Sequence, residues 1–297
     1  MYEKNIAFII NPVSGTSSKA NISESIQQII DKEQFADCRI IYTAYKGHGT
    51  ELASSFAAEG LDVVVAVGGD GTVNEVAKAL VNTPTALGVI STGSGNGLAR
   101  HLKIPSNMAK AIEQLNFSEV IRMDYGLVND DKPFFCTCGT GFDAYVSELF
   151  SRGTTRGMMG YLEKMVKGYL NYEPQHYRMT GKGIDLDGEA FVITFANASQ
   201  WGYNAYIAPN ASVQDGLLDI SVISMVPVIA IPTLAFQLFT KTIEKDLLVS
   251  TLRTDEITLY REKPGPFHLD GDPHEEGTEI HIKIVPEGLN VLVKKRF

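Results

Sequence analysis

The run Gly68-Gly69-Asp70-Gly71-Thr72 places a carboxylate inside a glycine loop. Glycines let a backbone approach a phosphate closely and supply positive φ where a turn needs it. A helix opening just behind such a loop adds free N–H groups and the positive end of its dipole. Here the helical pattern starts near Val73 and carries Asn74 and Glu75. Asp70 would repel a phosphate unless a metal ion or a proton intervenes. That points to phosphoryl transfer with Mg2+, whose coordination joins carboxylate and phosphate oxygens; a turn-capping aspartate is the plainer alternative. Two more candidate phosphate loops are Thr92-Gly93-Ser94-Gly95-Asn96-Gly97 and Asn11-Pro12-Val13-Ser14-Gly15. One glycine loop is weak evidence, because tight turns explain most of them, whereas three at one end of one sheet are not explained that way. Near the other end of the chain, Asp270-Gly271-Asp272 sets two acids around a glycine. Such a pair serves metal and general-base roles, or it is an acidic hairpin turn. No Walker A lysine follows any of these loops, and 93–97 lacks the dinucleotide spacing, so a hydride-transfer enzyme is excluded.

These residues need a scaffold that brings the loops together. Short Ile- and Val-rich runs at 6–10, 39–42, 62–67 and 86–90 alternate with helical patterns near 18–30, 50–59, 73–81 and 108–115. Strands alternating with helices predict βαβ units and a parallel sheet of Rossmann type, covered on both faces. Ligands on such sheets bind beyond the carboxyl ends of the strands. Each candidate loop follows a strand, and so does the stretch 43–48. After about residue 120 the pattern becomes alternating segments at 120–128, 134–138, 191–195, 217–223, 256–260, 267–269 and 279–285, with helices near 157–169 and 228–242. This predicts a β-rich antiparallel sandwich as a second lobe. The expected domains are 1–122, an α/β nucleotide-binding domain, and 123–297, a β-rich substrate domain whose last residues are able to pack back on the first.

Composition sets outer limits. Acids exceed bases by 35 − 26 = 9, which argues against a general nucleic-acid binder. Three cysteines, Cys38, Cys136 and Cys138, do not make a disulfide framework and favour a reducing compartment. Cys136-Thr137-Cys138 has the wrong spacing for zinc or redox work and predicts two small apolar side chains on one face of a strand. The N-terminal apolar run is too short for a signal peptide. The membrane-like stretch 222–239 contains Pro227 and Pro232, and proline breaks a spanning helix. It predicts a buried strand ending near Ser224 and a buried helix starting near Pro227, with a lipid-facing surface as the alternative.

On the three loops, the chain resembles the diacylglycerol kinase catalytic-domain family, which includes bacterial lipid kinases and sphingosine kinases. The matching residues continue through Val73-Asn74-Glu75, Leu98-Ala99, Gly141-Phe142-Asp143-Ala144, Asp215-Gly216-Leu217-Leu218-Asp219 and Leu269-Asp270-Gly271-Asp272. The resemblance implies ATP in a cleft between the lobes, contacted by Asn11, Pro12, Val13, Ser14, Gly15, Thr43, Gly68, Gly69, Asp70, Gly71, Thr72, Val73, Asn74, Ser94 and Asn96. It implies Asp270 or Asp272 as general base, with Asp272 where relatives often carry Glu. It implies Arg152 and Arg156 as phosphate-binding arginines, and a structural Mg2+ held by Ser212, Asp215 and the Leu217 carbonyl. Gly97 stands where many diacylglycerol kinases carry Asp, and Tyr145 where sphingosine kinases carry an acid for the lipid amine, so a sphingoid base is disfavoured.

The expected function is ATP- and Mg2+-dependent transfer of the γ-phosphoryl to a lipid hydroxyl, of a diacylglycerol-like or a sphingoid or ceramide-like lipid. Asp70 would place the metal or the hydroxyl. The alternatives are a kinase of a soluble acceptor such as NAD, and a non-catalytic nucleotide- or lipid-sensing module. The expected partners are a membrane lipid and the surface that holds it, with no nucleic acid; a homodimer is a further option. A basic amphipathic stretch at 152–170 is one candidate membrane contact, and its packing on its own sheet is the other reading. The expected location is the cytoplasm, peripheral to the inner membrane face.

Overall fold

The computed structural model describes residues 4–14, 21–151, 168–169 and 172–295. The chain divides into two compact units, Met1–Asp124 with Pro286–Phe297, and Tyr125–Val285.

The first unit alternates strand and helix: β1 (Lys4–Ile10), α1 (Ile22–Ile29), β2 (Phe35–Tyr42), α2 (His48–Ala58), β3 (Val63–Gly68), α3 (Asp70–Leu80), β4 (Ala86–Ser91), α4 (Gly97–His101) and α5 (Met108–Leu115). The strands run parallel in the order β2-β1-β3-β4. β3 and β4 are buried along their whole length, as continuous Val/Ile runs require when helices cover both faces. The chain steps from β1 outward to β2 and then returns to the other side of β1 with β3. The loops after β1 and β3 therefore leave in opposite directions and open a crevice at the carboxyl edge, the usual place for a ligand. One expectation is corrected here. α3 begins at Asp70 and not near Val73, so Asp70-Gly71-Thr72 form its first turn, where a carboxylate suits the dipole.

β5 (Ser118–Val128) leads into the second unit. There follow β6 (Lys132–Phe134), β7 (Thr137–Gly141), α6 (Phe142–Ser151), β8 (Gln175–Gly181), β9 (Ile184–Ala190), β10 (Val192–Ala196), β11 (Leu218–Ile223), α7 (Ile231–Thr240), β12 (Val249–Thr254), β13 (Glu256–Arg261), β14 (Gly265–Leu269), β15 (Asp272–Glu276) and β16 (Glu279–Lys294). One antiparallel sheet has the order β12-β11-β10-β7-β14-β15. It packs against strands β16, β13, β8 and β9. Cys138, Ile193, Phe195, Ile220 and Phe267 meet Tyr177, Met179, Ile257, Leu259, Ile280 and Ile282 in the core. Val192 and Ala196 face the opposite way and pack with Phe142, Val146 and Leu234 of the covering helices, as the period of two demands. The predicted N-terminal α/β lobe with a parallel sheet and C-terminal antiparallel lobe are both present.

Three local expectations fail. The segment 134–138 is not one strand: β6 ends at Phe134 and β7 starts at Thr137, because Phe135 and Cys136 turn their N–H groups toward Asp270. Cys136 and Cys138 therefore do not share a strand face. The Cys136 thiol donates to the Gln200 carbonyl (3.1 Å), while Cys138 lies in the sandwich, where burial pushes its thiol pKa up. The stretch 222–239 is a strand and a helix, but the helix is not buried: of α7 only Leu234 is. The predicted helix near 157–169 lies outside the described residues except at 168–169. Among the described residues, no helix is long and apolar enough to cross a membrane.

Candidate functional site

Side chains lace the three glycine loops of the first unit together. Asn11, behind β1, donates from Nδ2 to Thr72 Oγ1 (3.0 Å), and its Oδ1 accepts from the Val13 N–H. Ser14 and Thr92 share a hydroxyl–hydroxyl hydrogen bond of 3.1 Å. Asp70 reaches from the first turn of α3 to the loop behind β4. Its two oxygens accept the N–H groups of Asn96 (2.9 Å) and Gly97 (3.0 Å). The backbones of the two loops touch. A Cβ on Gly93 would lie 2.7 Å from Gly69 Cα and 2.8 Å from Asn96 Oδ1, a distance no side chain tolerates. A Cβ on Gly68 would strike Thr72 at 2.3 Å. Gly71 is the contrast, exposed and with open space where a Cβ would stand.

Thr43 continues the β2–β1 ladder by donating to the Ile10 carbonyl. Pro12, Val13 and Ser94 are exposed at the same carboxyl edge, whereas Val73 is buried in the core. Asn74 lies on α3. Asn96 adopts positive φ (52°), and its Oδ1 is buried without a hydrogen-bond partner. Glu75 has a role that sequence reasoning did not find. Its carboxylate accepts the N–H groups of Gly47 (2.8 Å) and Gly49 (3.1 Å) and so caps the N-terminus of α2. Gly15, Arg152 and Arg156 lie outside the described residues.

In the second unit, Asp270 and Gly271 form the two-residue turn between β14 and β15, with φ of 51° and 87° and Leu269 paired to Asp272. This is the Asp-Gly hairpin in its favoured mirror-image turn. The Asp270 carboxylate folds inward. Oδ1 accepts from Cys136 N–H (2.7 Å) and Thr137 N–H (3.1 Å), and Oδ2 from Phe135 N–H (2.9 Å). Asp272, the first residue of β15, is exposed. Asp143, opening α6, meets buried His268 at 3.0 Å through Nε2; the His268 Nδ1 is buried without a partner.

Beyond the far end of β7 is a cavity of about 230 Å³, walled by Tyr145, Tyr172, Tyr177, Glu173, Arg261 and Pro266 among others. Burial raises the pKa values of the Tyr172 and Tyr177 hydroxyls, and so keeps them protonated donors. Arg261 spends its guanidinium on the carbonyls of Gly265, Pro266, Glu276 and Gly277 and on Thr140 Oγ1. Burial lowers its pKa. Of these wall residues the sequence reading singled out only Tyr145; Tyr172, Tyr177 and Arg261 escaped it, because a lone Arg or Tyr carries no signal.

The proposed metal ligands fit a cation poorly. Asp215 Oδ1 accepts the Leu217 N–H (3.2 Å), and its Oδ2 is paired with the Arg253 guanidinium. Ser212 Oγ accepts from Gln214 N–H (3.3 Å). Arg253 also holds Asp219 (3.1 Å). A guanidinium already supplies the positive charge that Mg2+ would bring. Among the described residues, no group of three or more His, Cys, Asp or Glu side chains is placed to hold a metal ion.

Comparison with known proteins gives two domain matches in series. Residues 5–128 match the diacylglycerol kinase catalytic domain, and residues 136–293 match the YegS C-terminal NAD kinase beta sandwich-like domain. A probable lipid kinase YegS of Escherichia fergusonii is 28% identical over 263 residues, covering 82% of each chain. A putative diacylglycerol kinase from Bacillus anthracis has the same fold, with a TM-score of 0.78 at 21% identity over 98% of this chain and 97% of that one. An NAD kinase from Archaeoglobus fulgidus, solved with ATP, aligns with a TM-score of 0.51 at 16% identity over 98% of this chain and 93% of that one.

Proposed function

Because the chain belongs to the family that joins a diacylglycerol kinase catalytic domain to a YegS-type C-terminal domain, we propose that it is a lipid kinase, transferring the γ-phosphoryl of ATP to a lipid hydroxyl. The observation that carries this reading is the cradle at the carboxyl edge of β1, β3 and β4. There Asp70 pins the loop behind β4, and Gly93 lets two backbones approach to a distance no Cβ permits.

In this reading the N–H groups of the first turn of α3 and the loop behind β1 bind the phosphates. Asn11, Ser14 and Thr92 fix the loop shapes, and Asp70 is the carboxylate on the nucleotide side. Mg2+ arriving with the nucleotide would neutralise charge on the phosphate oxygens, and Asp70 is the residue suited to it; the Asp215 cluster takes no part. The acceptor side uses Asp272 as general base, because the oxygens of its neighbour Asp270 are committed to three backbone N–H groups. The tyrosine-walled cavity suits the body of an elongated acceptor. Along β7 it lies roughly 13 Å from the Asp270 loop, at about 3.3 Å per residue.

The test is transfer of labelled γ-phosphate from ATP with Mg2+ into a total lipid extract, run beside NAD as soluble acceptor. Label is expected in lipid. Label in NAD alone, or ATP binding with transfer to neither, would overturn the reading.

A further inference from the structure

From Ile220 to Thr240 the chain carries no charged residue. A helix that is apolar all round belongs inside a protein or against something that covers it. α7 buries one stripe, through Leu234. The opposite stripe faces outward: Pro232, Phe236 and Phe239, spaced four and three residues apart, share that side, and Ile229 is exposed in the 3-10 turn that leads into the helix. Ile229 is 89% exposed, Phe236 67% and Phe239 58%. The Ser224 N–H donates to the Leu248 carbonyl and ties the chain that leads into α7 to the turn that follows it. These two segments add Met225, 47% exposed, and Leu247, which is fully exposed. So many large apolar side chains exposed within one short segment of chain mark an interaction site.

The charges at its edge select the occupant. The turn closing α7 carries Lys241 and Lys245, both exposed, and Lys241 Nζ stands 4.3 Å over the ring of Tyr206. The two acids of that turn are engaged with the protein: Glu244 accepts from Asn210 Nδ2 (2.6 Å), and Asp246 accepts the Leu248 N–H (2.9 Å). A chain with net charge −9 thus presents, beside its apolar stripe, lysines to whatever it meets there. Projecting apolar side chains with lysines at the margin match an anionic bilayer surface, where the chains enter the acyl boundary and the ammonium groups meet phosphates. A protein partner would instead need matching pockets for side chains as far from their own surface as Ile229 and Leu247.

We propose that the outward face of α7 and the Leu247 turn seat the protein on a bilayer containing anionic phospholipid. This rests on the lipid-kinase reading for its purpose, since a kinase of a bilayer-resident hydroxyl has to reach it, but its test does not. Flotation with phosphatidylcholine vesicles, with and without phosphatidylglycerol, reads the docking directly. The full chain is expected to float with the anionic vesicles. A variant carrying Ile229→Ser, Phe236→Ser and Leu247→Ser is expected to bind at least about tenfold more weakly. Lys241→Glu with Lys245→Glu is expected to lose the preference for phosphatidylglycerol. All five positions are exposed, so melting temperatures should hold. Independently, Leu247→Trp should shift its emission to the blue on adding anionic vesicles.

Flotation of the triple variant equal to that of the parent would overturn the proposal, as would failure of the parent to float. So would a dimer that the triple variant dissociates while the parent ignores vesicles, since the face would then join two copies of the chain. Turnover on a detergent-dispersed lipid acceptor separates the two readings. If lipid is labelled and the triple variant still floats, docking fails alone. If the parent floats and no lipid is labelled in any format, the kinase reading fails alone.

Discussion

Asp70 in the first unit and Asp270 in the second both hold a neighbouring loop by its backbone N–H groups. Asp70 sits on the first turn of a helix and spends one oxygen on each of two successive N–H groups, those of Asn96 and Gly97. Asp270 sits in a hairpin turn, and three successive N–H groups, from Phe135 to Thr137, crowd its carboxylate. In the proposed reaction the difference decides what else each would do. A carboxylate at a helix N-terminus, among glycines that admit a close ligand, would stand beside the phosphates while it shapes the loop. A carboxylate folded under a hairpin is committed to the turn, and the next acid on the strand, exposed Asp272, would take the proton. In that reading the pair of acids around Gly271 divides into a builder and a reactant.

The sharpest way to break that comparison is to remove each charge in turn. Asp272→Asn is expected to lower turnover by about 10²- to 10⁴-fold, the usual contribution of a general base, with no change in melting temperature. Asp270→Asn places an NH2 group against N–H donors and forfeits charge-assisted bonds, at about 1.5–3 kcal/mol. Its activity should fall only with the folded fraction. Turnover assays beside thermal melts read both. Full turnover in Asp272→Asn, with a dead but stable Asp270→Asn, would reverse the roles.

The glycines offer a second cut within the first unit. Gly93→Ala forces a methyl group against the Gly69 backbone, and overpacking of this kind destabilises by about 1–3 kcal/mol. Gly71→Ala meets no atom within 4 Å, so stability should hold, and any rise in KM for the nucleotide would report how closely a phosphate approaches α3. Equal losses of stability in both variants would show that the loops do not pack through Gly93.

The same contrast explains what was legible in the sequence. The parallel lobe was legible because β3 and β4 are unbroken apolar runs, each ending in a glycine loop. The hairpin of β8 and β9 was not: its exposed face carries Arg178, Asp185 and Asp187, with Arg178 and Asp185 paired across the strands, and so many charges hide an alternating pattern. Position 70 was legible as special but not as helical, since glycines on both sides suggested a loop. The outer face of α7 was misread because apolar residues predict burial and say nothing of which apolar face lacks a cover. Arg253 was out of sight altogether, because its meeting with Asp215 and Asp219 depends on the pairing of β12 with β11.

That arginine supplies a smaller test. In the proposed reaction Asp70 stands on the nucleotide side with backbone N–H groups as its partners, whereas Asp215 already has a guanidinium. Arg253→Met should destabilise by about 2 kcal/mol, because it strands the buried Asp219. Mg2+ without nucleotide should leave the melting temperature of the parent unchanged. A clear rise, absent from Asp215→Asn, would return a metal to that site.

Asp219 sharpens the comparison through pH. Burial raises its pKa to about 6 despite the attraction of Arg253, with the neighbouring Asp215 adding to the rise. In the unfolded chain the group titrates near about 4. As pH rises from about 4 to about 6 the unfolded chain releases this proton first, so the folded state holds more protons and stability falls with rising pH. The contribution is fully present below about pH 4 and lost above about pH 6, on the order of 2–3 kcal/mol. Other carboxylates oppose it. Asp185 has its pKa lowered by Arg178, and Asp130 by Lys283, so they add stability as pH rises through the acid range. The informative quantity is therefore the difference between parent and Asp219→Asn in urea midpoints, measured at both ends of the window. The parent should lose ground to the variant as pH rises. A constant difference would mean that Arg253 offsets burial in full and that Asp219 is ionised throughout.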